Sequence, residues 1–408
     1  MKPIIRFRQY NKEWCPFKLN TILVPSNEKN TKGLYSKNDV LSVSGEAGIV
    51  NQIAFQGRSF AGASVLNYGV VNTNDIVYTK SPLRNNPYGI IKTNNGPSGI
   101  VSTLYAIYNC CEESCPQFVD TYFTSSSRTN NYLRPLVRKG AKNDMKVSSE
   151  GALQGNVIFP YKDEQIEIAS YFRILDAKLQ ASAKKLESLK KLKSASLVAM
   201  FPQNGESMPK VRFKGFEGEW SKIELCSISK KVTNRNMDMQ YTTTLTNSAE
   251  HGIIDQLAFF DHQVSNNDNI SGYYVVENGD FVYNPRISAL APVGPINQNQ
   301  IGYTGVMSPL YYVFRVDGVD TDYLSYYFKT TLWHQYLKDV GNSGARFDRL
   351  AITDSDFQKM PIYLPTNREE QQAIATFFRS LDRKIALETA RLEKLKQIKL
   401  ACLDKMFV

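Results

Sequence analysis

Two stretches of the chain, 163–201 and 369–407, contain neither proline nor glycine and are rich in Leu, Lys, Ala and Glu. Within them apolar residues recur at alternating steps of four and three. The first runs Ile168, Phe172, Leu175, Leu179, Leu186 and Leu189, and the second Ile374, Phe378, Leu381, Ile385, Leu392 and Leu395. That spacing is a heptad seam and predicts one long helix in each stretch. The slot skipped in each series holds Ser182 or Glu388, polar positions that would fix register at some cost in stability. Asp163 and either Thr366 or Asn367 are candidate N-caps, and Pro202 ends the first helix. At ~1.5 Å per residue each helix would be roughly 55 Å long. A seam of that length needs a partner, and the second helix can run back along the first. The expectation is an antiparallel coiled coil holding two globular domains apart, related by an approximate two-fold axis. The alternative is two amphipathic helices, each packed on its own domain.

The remaining sequence reads as α+β. Segments such as Asp75 to Thr79, Leu104 to Asn109, Gly279 to Tyr283 and Leu310 to Val316 are β-branched and aromatic, bounded by Gly, Asn and Pro turns. No regular alternation of strand with long helix occurs, which argues against a doubly wound parallel sheet. The chain also repeats itself with an offset near 206 residues. The run from Arg6 to Trp14 aligns with Arg212 to Trp220, Glu46 to Gln52 with Glu250 to Gln256, and Asp75 to Tyr78 with Asp280 to Tyr283. Gly99 to Tyr105 aligns with Gly305 to Tyr311, Glu164 to Asp176 with Glu370 to Asp382, and Met200-Phe201 with Met406-Phe407. The expected organisation is a globular domain over 1–162, a long helix over 163–202, a second, similar domain over 203–368 and a second helix over 369–408.

Composition narrows the class. Of 408 residues 42% are hydrophobic, too many for a disordered chain, and the length suits two to four domains. No stretch approaches the ~20 apolar residues that cross a bilayer. The start, Met1-Lys2-Pro3-Ile4-Ile5-Arg6, lacks the apolar segment of a secretion signal. A soluble, cytoplasmic protein is expected. Forty-nine Lys and Arg against 39 Asp and Glu give a formal charge of +10, pointing to an anionic partner, with nucleic acid foremost. The cysteines at 15, 110, 111, 115, 226 and 402 do not form paired metal-ligand spacings, and no histidine is near the dense cluster in sequence; free thiols are expected, and no metal.

Catalytic signatures are missing where they are easiest to see: there is no G-x-x-x-x-G-K-[ST], no G-x-G-x-x-G after a strand, no H-E-x-x-H and no G-x-S-x-G. Asn86-Pro87-Tyr88 is similar to the Asn-Pro-Pro-Tyr loop of DNA amino-methyltransferases but lacks the second proline, and it reads as a turn. Carboxylates such as Asp348, Asp354 and Asp356 read as helix-capping or surface groups.

Basic and amide side chains beside the strands carry more information, because Lys and Arg bind phosphates while Arg, Asn and Gln read base edges. Directly after the matched D-[IF]-V-Y strand come Lys80, Arg84 and Asn85 in one half, Asn284 and Arg286 in the other. Two loops that differ on a shared scaffold suit two readers of two different short sequences. Later loops add Arg138, Lys142 and Lys146 in the first half, Arg346 and Arg349 in the second. Matched Tyr35 and Tyr241, with Thr243, complete the candidate DNA-binding residues. For any one of them the alternative is solvated surface.

The alternation of two variable domains with two alike helical regions resembles the specificity subunit of type I restriction-modification systems. The repeated E-Q-x-x-I-A-x-[YF]-F-x-x-L-D-x-K segment at Glu164 to Lys178 and Glu370 to Lys384 carries the resemblance, with Ile158-Phe159-Pro160 and Ile362-Tyr363-Leu364-Pro365 before it. Departures are Tyr161-Lys162-Asp163 in place of the usual small-residue run, and Arg383 where the first copy has Ala177. The resemblance implies a subunit without a catalytic centre. Each domain would read one half of a split target through the major groove, and the paired helices would set the gap, at most roughly 16 base pairs at ~3.4 Å each. It further implies two modification subunits that bind S-adenosylmethionine, flip the target adenine out of the stack and methylate it, together with restriction (motor and nuclease) subunits; this chain would hold no cofactor. Two other classes remain: a tandem-repeat scaffold that binds only proteins, and a free-standing DNA modification or nuclease enzyme.

Overall fold

The computed structural model describes residues 1–139, 145–203, 205–257, 270–343 and 348–408. It is an α+β protein whose chain divides into two compact units. One comprises 1–184 with 390–408 and the other 185–389. The long helices are Lys162–Ala199 and Arg368–Lys405, so each helix supplies residues to both units. Asp163 lies one residue inside its helix rather than capping it; with Glu164 it puts negative charge in the first turn, where the helix dipole favours it. Asn367 does cap, its Oδ1 accepting from the Glu369 N–H at 2.7 Å.

The repeat holds at the level of topology. In the first unit a four-stranded antiparallel sheet runs in the order Leu23–Pro25, Tyr105–Cys110, Ile76–Thr79, Ile91–Thr93. In the second the same order is built from Ser229–Lys231, Tyr312–Val316, Phe281–Tyr283 and Ile296–Gln298. Each sheet is joined by a hairpin (Leu41–Ser44 with Gly48–Asn51; Leu245–Ser248 with Gly252–Asp255) and by a ribbon leading to the long helix (Cys15–Lys18 with Asn156–Phe159; Ser221–Glu224 with Pro361–Leu364).

The Glu-Gln pair that opens each long helix ties the unit together. Glu164 is buried and takes both Nε and Nη2 of Arg6 at 2.7 Å, while the same guanidinium donates to the Lys12 carbonyl. Glu370 takes Arg212 at 2.6 and 2.7 Å, and that arginine donates to the Gly218 carbonyl. Gln165 accepts from Ser114 Oγ and the Cys115 N–H and donates to the Pro160 carbonyl; Gln371 accepts from the Asp320 N–H and donates to the Pro365 carbonyl. One dipeptide therefore anchors the segment before the first strand and the loop after the central sheet.

Each core is then closed by the tail of a long helix. In the first unit Phe407 packs among Trp14, Phe118, Tyr122 and Phe172. In the second Phe201 packs among Trp220, Tyr323, Tyr327 and Phe378. These contacts set the helix direction within each unit. In the first, Tyr171 meets Cys402 and Asp176 meets Lys399; in the second, Lys185 meets Glu388 and Lys193 meets Asp382. One index rises as the other falls, so the helical segments in each unit are antiparallel. Along them Ile168, Phe172, Leu175, Ile374, Phe378 and Leu381 are buried, while Leu179, Leu186, Leu189, Ile385, Leu392 and Leu395 are half-buried. Ser182 and Glu388, the polar slots, are buried too.

The bonding inside each unit sets two expectations. Replacing Glu164 or Glu370 by Ala leaves a half-buried guanidinium without its counter-ion and should lower stability by about 1–3 kcal/mol, read as an earlier urea midpoint of the full chain. The second concerns Asp75, whose carboxylate is buried against Asn109, where its counterpart Asp280 holds Arg315 at 2.7 and 3.0 Å. Burial raises the Asp75 carboxyl above its usual range. The folded state thus favours its protonated form, a contribution present at low pH and lost as pH rises through the raised value. Asn109→Arg should install the second unit's pair, remove that loss and add a few tenths to about 1 kcal/mol at neutral pH, measured by thermal unfolding across pH.

Candidate nucleic-acid interface

In each unit the matched strand leads into a loop whose exit is fixed by a glycine. Gly89 and Gly294 have positive φ, and a Cβ there would stand 1.9 Å from the Thr79 carbonyl oxygen or 2.0 Å from that of Asn284. Only glycine lets the chain return so close to the strand end. Between these fixed points the loops diverge, and different neighbours hold them.

In the first unit Lys80 is half-buried, and burial lowers its ammonium pKa; Arg84 and Asn85 are exposed. Helix Ser126–Leu133 ties the loop down, Asn130 Nδ2 donating to the Asn85 carbonyl and Ser126 Oγ to Asn86 Oδ1. Asn86 and Leu83 exchange two backbone hydrogen bonds, and the Gly89 N–H bonds the Asn86 carbonyl at 3.0 Å, so Asn86-Pro87-Tyr88 is a turn. Arg138–Lys139 and Met145–Lys146 form a small ribbon in which Arg138 and Lys146 sit directly opposite each other, both exposed.

In the second unit Asn284, Arg286 and Arg349 line one cleft of about 460 Å³ with Asn247 and Tyr311. Arg286 and Arg349 bridge across adjacent chain segments, fastened by Ile287 N–H to the Asp348 carbonyl and Leu350 N–H to the Pro285 carbonyl, each 3.0 Å. Two loops separated by some sixty residues of sequence thus form one surface. Asn284 Nδ2 donates to the Asn247 carbonyl and its Oδ1 accepts from the Arg286 N–H. Buried Asn247 donates to the Val282 carbonyl and accepts from Asn297 Nδ2 at 2.6 Å.

Like charges directly across two strands repel. Each unit nonetheless holds such a pair, Arg138 with Lys146 and Arg286 with Arg349, the second partly offset by Asp348 beside Arg286. The positions do not correspond in the repeat, so the same device is made from different sequence. Such pairs are relieved by a polyanion laid across them, which is what a phosphate backbone supplies.

Matched Tyr35 and Tyr241 are placed alike. Each N–H bonds the side chain of an asparagine five residues earlier, Asn30 or Asn236, and that amide donates back to the tyrosine carbonyl. The Tyr35 ring packs partly against the Val40, Val65, Val70 and Ile100 cluster, a scaffold position. Thr243 is half-buried. Lys142 and Arg346 lie outside the described residues. Asn247, Tyr311 and Asp348 join the site only in three dimensions. Asn247 sits in a hairpin whose match was visible, but its inward direction was not. Among the described residues no group of three or more His, Cys, Asp or Glu is arranged to hold a metal, and the cysteines are free.

The family model of the type I restriction modification DNA specificity domain matches residues 223–397. The repeat carries the same sheet order, helix-opening Glu-Gln and closing Phe into the first half. The match covers the larger part of the second unit, less than half of the chain, and marks that part as similar to the specificity domain. No curated protein sequence matches it. Among solved structures it is similar to a type I restriction-modification S subunit from M. genitalium, at 12% identity and TM-score 0.56 over 100% of this chain and 99% of that one. It is also similar to an HsdS subunit from Thermoanaerobacter tengcongensis, at 18% identity and TM-score 0.47 over 98% of each. The first of these likenesses concerns the fold.

Replacing Asn247 by Ala removes its hydrogen bonds to the Val282 and Pro295 carbonyls and the one it accepts from Asn297 Nδ2, and should cost about 1–3 kcal/mol, seen as a lower thermal midpoint. An equal change at exposed Asn85 should stay within about 0.5 kcal/mol.

Proposed function

We propose that this chain is the DNA-recognition subunit of a type I restriction-modification complex and itself carries out no bond-making step. The cross-strand cation pairs carry this reading, because one stands at the variable loops of each unit. Each unit reads one part of a split duplex target: the first through Lys80, Arg84, Asn85, Arg138 and Lys146, the second through Asn284, Arg286 and Arg349. Two modification subunits that bind S-adenosylmethionine and methylate adenine assemble on it, and restriction subunits join them. The long helices act as the spacer between the two reading events.

The test is duplex binding by the full chain with its modification partner across a salt series. Neutralising Arg286 and Arg349 together should lower the slope of log affinity against log salt by roughly 1 for each phosphate those side chains engage; an unchanged slope would contradict the reading and favour a protein-only scaffold. A further prediction concerns spacing. One heptad inserted in each long helix should widen the gap between the two target parts, as mapped by methylated adenines, and leave the parts themselves unchanged.

A further inference from the structure

The cation pair of the second unit differs from that of the first in one respect. Arg286 Nε lies 3.4 Å from Asp348 Oδ2, in the segment that bridges to it. Among the described residues no carboxylate pairs with Arg138, Lys146 or Arg349. A surface built only to hold phosphate gains nothing from an acid: the carboxylate repels the backbone and weakens the attraction of the arginine it faces. Asp348 is also not needed to fasten the segment, since the bridge there is made by backbone groups, the Asp348 carbonyl included.

What a carboxylate does supply is direction. A free arginine side chain samples many rotamers, and the planar guanidinium reads a guanine only when its fork faces the base's O6 and N7 acceptors. Asp348 stands on the Nε side as an ion pair at 3.4 Å, longer than a well-formed hydrogen bond, which biases the guanidinium and leaves the two terminal nitrogens for such a fork. The Asn284 side chain fixes the Arg286 backbone N–H at 3.0 Å, which holds the residue's main chain while Asp348 draws on its guanidinium.

We propose that Asp348 is a positioning residue that aims Arg286 at a guanine edge in the part of the target read by the second unit. Arg349 of the same pair serves the phosphate. This inference rests on the DNA-reading role proposed above for the same cleft. Asp348 contributes selectivity in two ways. It holds the guanidinium in the base-reading direction, and it disfavours the register in which Arg286 slides onto the backbone.

The experiment is selection of duplexes from a randomised pool by the full chain with its modification partner, followed by sequencing, for wild type, Asp348→Asn, Asp348→Ala, Arg286→Lys and Arg286→Ala. Wild type should enrich guanine at one position of the second target part. Asp348→Asn and Asp348→Ala should reduce that preference about ten-fold, with non-specific binding equal or tighter and every other position unaffected. Arg286→Lys, which keeps the charge but not the fork, should lose the same preference. If both Asp348 variants keep the guanine preference while Arg286→Ala loses it, the positioning role is wrong and the DNA-reading cleft stands. If Arg286→Ala changes neither affinity nor preference, the reading of the cleft itself fails. All five proteins should share one thermal midpoint, since both side chains are largely exposed; a drop for the Asp348 variants alone would make the residue structural and overturn the proposal.

Discussion

The fold depends on a buried bidentate ion pair made twice, Arg6 with Glu164 and Arg212 with Glu370, the partners separated by 158 residues in both cases. A buried carboxylate is tolerated only when its charge and its lone pairs are met. Here a single arginine does both and also donates to a backbone carbonyl, through Nη2 to that of Lys12 in the first unit and through Nη1 to that of Gly218 in the second. The pair fixes where each long helix begins relative to the segment before the first strand. The neighbouring glutamine fixes the loop that follows the central sheet. With the start set, the Phe that ends a long helix can be buried only by a helix arriving from the opposite direction, and Phe407 and Phe201 fill that place in the two units.

Much of this was legible in the sequence, for a physical reason. A heptad seam, a Glu-Gln pair and a terminal Met-Phe are local patterns, and repetition doubles the signal of each. The strand boundaries moved by one or two residues, as with Leu310 to Val316, where the strand is Tyr312–Val316. Asp163 shifted from cap to first turn because the helix begins at Lys162. What the heptad pattern could not give was the partner of Arg6. An arginine in an N-terminal run reads as surface until the fold brings a carboxylate to it from 158 residues away.

The candidate interface was legible only in part. That the loops after the matched strands differ is a fact of sequence. That Arg286 and Arg349 form one cross-strand pair is not, because it depends on a bridge between segments some sixty residues apart. Asp348 illustrates the same limit: one carboxylate among several in sequence becomes the counter-ion of a particular arginine in space. Tyr35 and Tyr241 are alike because each is held by the same asparagine clamp, a requirement of the scaffold the two units share.

Each unit is mounted on an equivalent ribbon, with Cys15 opposite Phe159 in one and Ser221 opposite Leu364 in the other. The most direct measurement exchanges what lies between those ribbons. A chain carrying 221–364 in place of 15–159 keeps both Arg–Glu pairs and both closing phenylalanines. Its target, mapped by sequencing of modified adenines, should consist of two copies of the part now read by the second unit. A folded chain that still selected the original unlike parts, or that lost sequence selectivity altogether, would contradict the claim that each unit reads its own stretch of DNA.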